Sequence, residues 1–292
     1  MDWLFFIEVS LAGIGAGSLY ALTAIAFVLI YKATRVINLA IGEMLMVGAY
    51  LFFALGAGWS LSWWLAIPMA LVGGGLLGML LERGVIRPML GENPISVFMV
   101  TIGLGSILVG TVELIWTSAP RSLPGFMPDE AIFIGEAFIA PNTFWGFVIA
   151  AVVIALFLLL FRFWRGGVAV RATASDQGAA WAMGINVPAV YSLAWGLAGM
   201  IAAGSGILLG AMSGVSPEMA MFGLTVLVVV IVGGLDSVFG ALLAGLLIGW
   251  MESVVGVYLG GEYEHLVTFI LLMLVLLVRP WGLFGSHEIE RL

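Results

Sequence analysis

Charged residues are scarce in this chain of 292 residues: Asp, Glu, Lys and Arg make up 9% of it, while 63% is hydrophobic and the mean hydropathy is +1.19. A soluble domain usually carries about 25% charged residues. So few charges cannot cover a surface that faces water, and the apolar surface must therefore face lipid. The formal net charge of −7 also argues against a nucleic-acid partner.

Residues that carry covalent or metal chemistry are equally rare. Cysteine is absent, which excludes disulfides, thiol nucleophiles and cysteine metal sites. The two histidines, His265 and His287, leave little for a histidine metal site or proton relay. The only lysine, Lys32, is followed by Ala33, whereas a P-loop needs Gly-x-x-x-x-Gly-Lys-Ser/Thr because its lysine must reach the phosphates. No catalytic residue, metal site or cofactor is therefore expected in this chain, and ATP-driven transport would need a partner nucleotidase.

An intramembrane serine protease is the enzyme class that remains to be excluded. Ser205 lies between two glycines, and His265 lies in a later apolar stretch. A serine nucleophile needs a base within hydrogen-bond reach, but a serine between glycines is ordinary packing in a membrane helix. The two-residue pattern is too weak to support a protease.

Nine apolar stretches predict membrane helices, each of which needs about 20 residues. They lack the alternation of barrel strands, so we predict an all-α polytopic bundle of eight or nine membrane segments, a single transmembrane domain over 1–292. The stretch with Asn38 and Glu43 and the short one after Pro217 can be broken or re-entrant helices. The nine stretches are 5–31, 37–57, 62–81, 95–117, 142–161, 188–211, 219–235, 238–258 and 264–278.

Basic residues predict the orientation, because they concentrate in cytoplasmic loops. If the N-terminus is outside and the chain crosses at each stretch, nine of the ten basic residues lie inside. Only Arg121 then lies outside, in the external loop 118–141. This distribution predicts an outside N-terminus, a cytoplasmic C-terminus and an odd number of crossings.

Glycine is abundant, at 40 residues, and several pairs fall one helical turn apart. Gly13 with Gly17 and Gly74 with Gly78 put small residues on one helix face, which lets two helices approach closely. We interpret these pairs as packing positions rather than as gating elements.

The stretch 162–190 is the longest predicted cytoplasmic loop, and it is too polar to span a membrane. Its alanine-rich part predicts a short helix from Ala172 to Met183, with Ser175 or Asp176 as the N-cap. Gly184 should end this helix, and Pro188 should open the next span.

A short helix held between two spans can dock on a cytoplasmic subunit and pass motion to the spans. Its outward face is expected to carry Ala180, Trp181 and Met183, which suit a pocket on a partner. The alternative is an amphipathic helix that rests on the lipid surface.

The residues of this loop resemble the coupling loop of ABC importer permeases. The run from Ala179 to Gly184 looks like its Ala-Ala-x-x-x-Gly core, although Gly178 stands where the general motif has glutamate. The run from 171 to 186 is closer still to the branched-chain amino acid (Liv-type) permease family. The coupling residues that the resemblance implies are Arg171, Asp176, Ala179, Ala180, Met183 and Gly184.

The resemblance extends along nearly the whole chain, with ordered motifs at family-like spacing. In the motif that begins at Gly233, Asp236 stands where the family has a glycine. The motifs are Gly17-Ser18-Leu19-Tyr20-Ala21-Leu22, Asn38-Leu39-Ala40-Ile41-Gly42-Glu43, Glu82-Arg83 with Arg87-Pro88, Gly233-Gly234-Leu235-Asp236-Ser237-Val238-Phe239-Gly240-Ala241, and Arg279-Pro280-Trp281-Gly282-Leu283-Phe284-Gly285.

The resemblance implies the permease subunit of an ABC importer in a bacterial inner membrane. The expected cargo is a small polar solute, first branched-chain or other aliphatic amino acids, while similar permeases take urea or short amides. The expected partners are a second permease (a copy or a related chain), two ATPases that bind Mg-ATP, and an external solute-binding protein. Without the resemblance, an ion-gradient-driven secondary transporter or facilitator remains an alternative function for this chain. The acidic residues within the membrane segments argue against a structural subunit that has no transport path.

Polar groups inside spans are the candidates for a substrate path, since a charge at a helix centre costs about 2.5–3.5 kcal/mol on insertion scales. Glu43 either lines the path or holds a helix break together. Glu252 either lines the path or makes hydrogen bonds between helices, and Glu113, near the end of its span, is expected to be structural. Asn38 and Thr101 are softer candidates, because neutral polar residues usually bond to neighbouring helices.

Overall fold

The structure, a computed structural model, describes residues 3–285, so His287 and the basic residue Arg291 lie outside the described residues. Within 3–285 the chain forms eleven α-helices and one two-stranded sheet. The helices are α1 Trp3–Thr34, α2 Ile41–Phe53, α3 Trp63–Leu81, α4 Pro94–Trp116, α5 Pro141–Phe163, α6 Arg165–Ser175, α7 Gln177–Ala182, α8 Val187–Ser213, α9 Phe222–Gly233, α10 Val238–Tyr258 and α11 Glu264–Val278. The strands are β1 Ile132–Ile134 and β2 Ala137–Ile139.

The helices confirm the all-α prediction and its number of membrane segments. In the part of the chain that the structure describes, eight helical stretches are long and apolar enough to cross a membrane. A ninth, Pro217–Gly233, is apolar but shorter. These nine stretches coincide with the nine that the sequence predicts.

The two stretches that were predicted as possible broken or re-entrant helices both begin at an interruption of helical structure. Residues 35–40 separate α1 from α2, and Arg35 adopts a φ of 56° immediately after α1. The second stretch begins with the 3-10 helix Pro217–Met221, which leads into α9. The break at 35–40 places Glu43 in the first turn of α2.

The loop between α4 and α5 contains a β-hairpin that the sequence analysis did not predict. Strands β1 and β2 pair antiparallel, with Phe133 opposite Phe138. Gly135 makes the turn at a φ of 67°, a conformation that glycine adopts without strain.

The described chain divides into two compact units. The first comprises 3–28, 127–150 and 225–285, and the second comprises 29–126 and 151–224. In the first unit, α1 packs closely on α10. A Cβ atom on Gly17 would lie 2.8 Å from the Gly245 carbonyl oxygen and 2.9 Å from Leu246 Cα, so only glycine permits this approach.

In the second unit, α8 packs against α2 and α3 through small residues. A Cβ atom on Gly74 would lie 2.7 Å from the Gly199 carbonyl oxygen, and one on Gly78 would overlap the carbonyl of Trp195. On α2, Gly48 meets the backbone of Ala203 in the same way. The glycine pairs are therefore packing positions, as predicted.

The segment after α11 completes the end of α9. Leu283 N donates to Val232 O at 2.9 Å, and Phe284 N donates to Gly233 O at 3.1 Å. The last carbonyls of a helix have no partner within it, and here a distant part of the chain supplies the donors. Gly282, at a φ of 81°, turns the backbone into this position. The motif at 279–285 is thus a helix cap.

Candidate functional site

The break between α1 and α2 is held by a buried asparagine. Asn38 is almost fully buried, and its Oδ1 accepts a hydrogen bond from Ala40 N at 3.1 Å. Its Nδ2 lies 3.5 Å from the sulfur of Met44 in α2. A side-chain oxygen that bonds to the backbone two residues later replaces a helical hydrogen bond. Asn38 therefore satisfies the backbone of the break.

A threonine from α4 bonds to the same break. The hydroxyl of Thr101 accepts from Leu39 N at 3.2 Å and donates to Phe98 O at 2.8 Å. Thr101 is fully buried, so both bonds are shielded from water. Irregular backbone is tolerated at membrane depth where protein satisfies its polar groups, and Thr101 does this from the neighbouring helix.

Glu43 lies one turn beyond the break and faces α4 at Gly105. A Cβ atom on Gly105 would lie 2.7 Å from Glu43 Oε1 and 2.9 Å from its Cδ, so the glycine leaves room for the carboxylate. Oε2 of Glu43 is buried and has no hydrogen-bond partner within the described part of the chain. Asn38, Glu43 and Thr101 thus come together where α2 meets α4.

The same face of α2 carries a second polar group, which the sequence analysis missed. Tyr50 follows Glu43 by seven residues, about two helical turns, and is fully buried. Its ring lies 5.4 Å from that of Trp116 in α4, and its hydroxyl has no partner among the described residues. The seven-residue spacing from Glu43 was the signal in the sequence.

Glu252 belongs to the first unit, where both of its oxygens are hydrogen-bonded. Tyr20 in α1 donates to Oε2 at 2.6 Å, and Thr268 in α11 donates to Oε1 at 2.6 Å. His265 Nδ1 lies 4.0 Å from Oε1, with its side chain largely exposed. The carboxylate therefore ties α1, α10 and α11 together, which favours the interhelical role over the path.

Replacing Tyr20 by phenylalanine should lower the stability of the protein in detergent. The change removes a 2.6 Å hydrogen bond to a buried carboxyl, and such bonds between membrane helices contribute about 1 kcal/mol. Thermal unfolding measures the effect. Tyr258→Phe, at the exposed end of α10, is the control and should unfold as the wild type does. Equal unfolding temperatures for all three proteins would contradict this role of Glu252.

The loop 162–187 contains two helices where one was predicted. The expected helix from Ala172 to Met183 is interrupted at Asp176, whose φ of −156° ends α6. Its Oδ1 accepts from Ala179 N at 2.9 Å and caps α7. Asp176 is therefore the N-cap, as one of the two predicted alternatives had it, but this cap starts a new helix.

The end of α7 follows the prediction. Gly184 adopts a φ of 84° immediately after Met183, the C-cap residue of α7, which is the usual glycine position at a helix C-terminus. Asn186 Oδ1 then accepts from Ala189 N at 3.1 Å, and Pro188 stands in the first turn of α8.

The outward face of α7 differs from the predicted one at Ala180. This residue is 4% exposed, because it turns inward in the short bend between α6 and α8, where its carbonyl accepts from Ile185 N. Trp181 and Met183 are 73% and 83% exposed, as expected. The apolar surface that α7 offers therefore consists of Trp181 and Met183.

Arg171 is engaged within its own unit. Its guanidinium donates to the carbonyls of Phe161 and Arg162 at the end of α5, and it lies 5.3 Å from the centre of the Phe161 ring. Cations stabilise the C-terminal end of a helix, so Arg171 joins α6 to the end of α5.

A charged network anchors the start of α8 to the end of α3. Glu82 is fully buried and accepts two hydrogen bonds from Arg87, at 2.8 and 2.9 Å. Arg87 also donates to Pro188 O at 2.9 Å and to the Ser192 hydroxyl at 2.7 Å. Ser192 in turn donates to Glu82 at 2.7 Å. The loop that contains α7 therefore leads into a rigidly held helix start.

Ser205 does not have the contacts of a nucleophile. Its hydroxyl donates to Ile201 O at 3.0 Å, one turn earlier in α8. This is the usual bond of a packed serine within a helix.

Known proteins resemble this chain along nearly its whole length. The family model of the branched-chain amino acid transport system permease component matches residues 9–276. The high-affinity branched-chain amino acid transport system permease protein LivH of Escherichia coli (strain K12) is 33% identical over 99% of each chain. The high-affinity branched-chain amino acid transport system permease protein BraD of Pseudomonas aeruginosa is 30% identical, over 96% of this chain and 95% of BraD. A probable branched-chain amino acid transport permease protein LivH of Methanocaldococcus jannaschii is 27% identical, over 92% of this chain and 89% of the relative.

Proposed function

Since this chain belongs to the family of branched-chain amino acid transport system permease components, we propose that it carries branched-chain or other aliphatic amino acids into the cytoplasm. It is a multi-pass inner membrane protein and a transport permease. The observation that supports the cargo is the 33% identity to LivH over 99% of both chains, which includes both structural units. Urea and short amides are the next substrates to test.

The proposed orientation places the N-terminus outside and the C-terminus in the cytoplasm. With nine crossings, the loops that follow α1, α3, α5 and α11 then lie inside together with their arginines. The hairpin of β1 and β2 lies outside, and α7 lies on the cytoplasmic side.

The proposed energy source is ATP hydrolysis in two partner ATPases that bind Mg-ATP, because the chain has no lysine in a P-loop context. One ATPase docks on α7, where Trp181 and Met183 are exposed. Asp176, Ala179 and Gly184 shape that surface by starting and ending α7, Ala180 fixes α7 against the loop, and Arg171 secures α6. The chain continues from α7 into α8 within a few residues, and Pro188 and Ser192 in the first turns of α8 are bonded to Arg87, so motion of α7 is passed to α8 and to the end of α3 together.

The proposed substrate path runs along the contact of α2 with α4. Glu43 is the residue that contacts substrate there, because its buried Oε2 has no partner in the described structure. Asn38 and Thr101 keep the helix break in shape, and Glu252 stabilises the first unit. A second permease, a copy or a related chain, completes the membrane part, and an external solute-binding protein delivers the amino acid.

Purification of the tagged chain in mild detergent tests this function. An ATPase subunit should co-elute, with hydrolysis that vanadate inhibits, and the complex in liposomes should take up radiolabelled leucine only with ATP inside the compartment that the ATPases face. Urea and acetamide serve as competing solutes. A chain that elutes alone and transports under an ion gradient would instead be a secondary transporter.

A further inference from the structure

Two buried polar atoms without a hydrogen-bond partner lie on one face of α2. Among residues 3–285, four buried side-chain polar atoms lack such a partner: Glu43 Oε2, Tyr50 Oη, Thr173 Oγ1 and Trp195 Nε1. Two of the four are in α2, seven residues apart, and at 3.6 residues per turn they point to the same side. That side faces Gly105 and Trp116 of α4.

Packing alone does not explain the hydroxyl of Tyr50. Leaving a buried polar group unpaired costs free energy, whereas phenylalanine would fill the same space without that cost. Tyr20 is the contrast, since its hydroxyl bonds to Glu252 at 2.6 Å. Native structures contain few unpaired buried groups, and each calls for an explanation such as a functional role or a bound water or ion.

The two groups have complementary chemistry. The carboxylate of Glu43 only accepts hydrogen bonds, whereas the hydroxyl of Tyr50 can donate one. An amino acid in water carries an ammonium group, which donates, and a carboxylate, which accepts. Val47 is half-buried between the two on the same face, and its apolar side chain can pack against the aliphatic side chain of such a solute.

We propose that Tyr50 is a second substrate-binding residue of the path, which donates a hydrogen bond to the carboxylate of the amino acid while Glu43 binds its ammonium group. This inference rests on the proposed function, since it requires an amino acid to pass between α2 and α4. The break at 35–40 and its bonds to Asn38 and Thr101 hold the face of α2 that presents both groups.

The test is Tyr50→Phe in the complete complex, reconstituted in liposomes with its binding protein and ATP. Leucine uptake should fall about tenfold, which corresponds to the loss of one hydrogen bond to a charged group. The unfolding temperature should stay the same or rise, because the hydroxyl has no partner within residues 3–285. Tyr31→Phe, a half-buried tyrosine at the end of α1, is the matched control and should transport as the wild type does.

Leucinamide, which lacks the carboxylate, identifies the group that Tyr50 recognises. The ratio of leucine uptake to leucinamide uptake is compared between each variant and the wild type. Differences in delivery by the binding protein do not affect this comparison, because all of the complexes use the same binding protein. This ratio should fall about tenfold in Tyr50→Phe and stay constant in Tyr31→Phe. Unchanged uptake, an unchanged ratio, or a lower unfolding temperature of Tyr50→Phe would each overturn the inference. A wild-type complex that transports no amino acid would instead overturn the proposed function.

Discussion

Replacing Trp181 and Met183 together by alanine should abolish ATP-driven uptake and release the ATPase from the purified complex. Both side chains are largely exposed and apolar, and truncating a central aromatic anchor of an interface costs about 2 kcal/mol or more, roughly 30-fold in affinity. The fold should be unaffected, because neither side chain is buried in the chain. Co-elution of the ATPase and leucine uptake are the two measurements.

Trp64→Ala is the matched control for this experiment. Its side chain is 70% exposed on α3, away from the α7 loop, so the ATPase should still co-elute. Ala180→Glu is a poorer test of docking on α7, because Ala180 is 4% exposed. Its side chain would place a charge in a buried position and disturb the packing of α7 itself. Full uptake by the Trp181 and Met183 double variant would show that α7 is not the docking surface.

The Arg87→Ala variant should have a lower free energy of unfolding than the single variants at Tyr20, Tyr50 and Arg83. It leaves the carboxylate of Glu82 fully buried without its cation, and breaking a buried pair on one side costs about 3–5 kcal/mol. We expect the lower end of that range, because the Arg87 side chain is 35% exposed. Thermal unfolding of the purified protein in detergent measures the difference.

Two further variants separate charge burial from general damage. Arg83→Ala removes a neighbouring arginine that makes one 3.2 Å bond to Ser192, and it should cost far less. The double variant Glu82→Met with Arg87→Met removes both charges together and should regain much of the lost stability. If Arg87→Ala unfolds at the temperature of the wild type, the network does not anchor α8.

Most of the fold was predictable because a membrane restricts the possible structures. Backbone groups in lipid must be satisfied within helices or barrels, so apolar length alone located the nine stretches. Local chemistry was equally informative at Asp176, Gly184 and Pro188, where a cap, a positive φ and an N-terminal proline each act within a few residues. The hairpin of β1 and β2 was missed because its short strands carry little pattern.

The site was only partly predictable, because it depends on contacts between helices. Asn38 and Glu43 could be placed at a helix break from the local sequence. That Thr101 bonds to this break, and that Gly105 makes room for Glu43, follows from the approach of α4. The inward position of Ala180 and the unpaired hydroxyl of Tyr50 are likewise properties of tertiary packing, which residue type alone does not determine.

The cap on α9 has a consequence for how this protein is made. Leu283 and Phe284 supply the final hydrogen bonds of that helix, yet the ribosome synthesises them only after α10 and α11. Until then the last carbonyls of α9 have to be satisfied by water or by the translocation machinery, since a bare carbonyl in lipid is costly. The end of α9 therefore gains its final hydrogen bonds only after the last membrane segment has been synthesised.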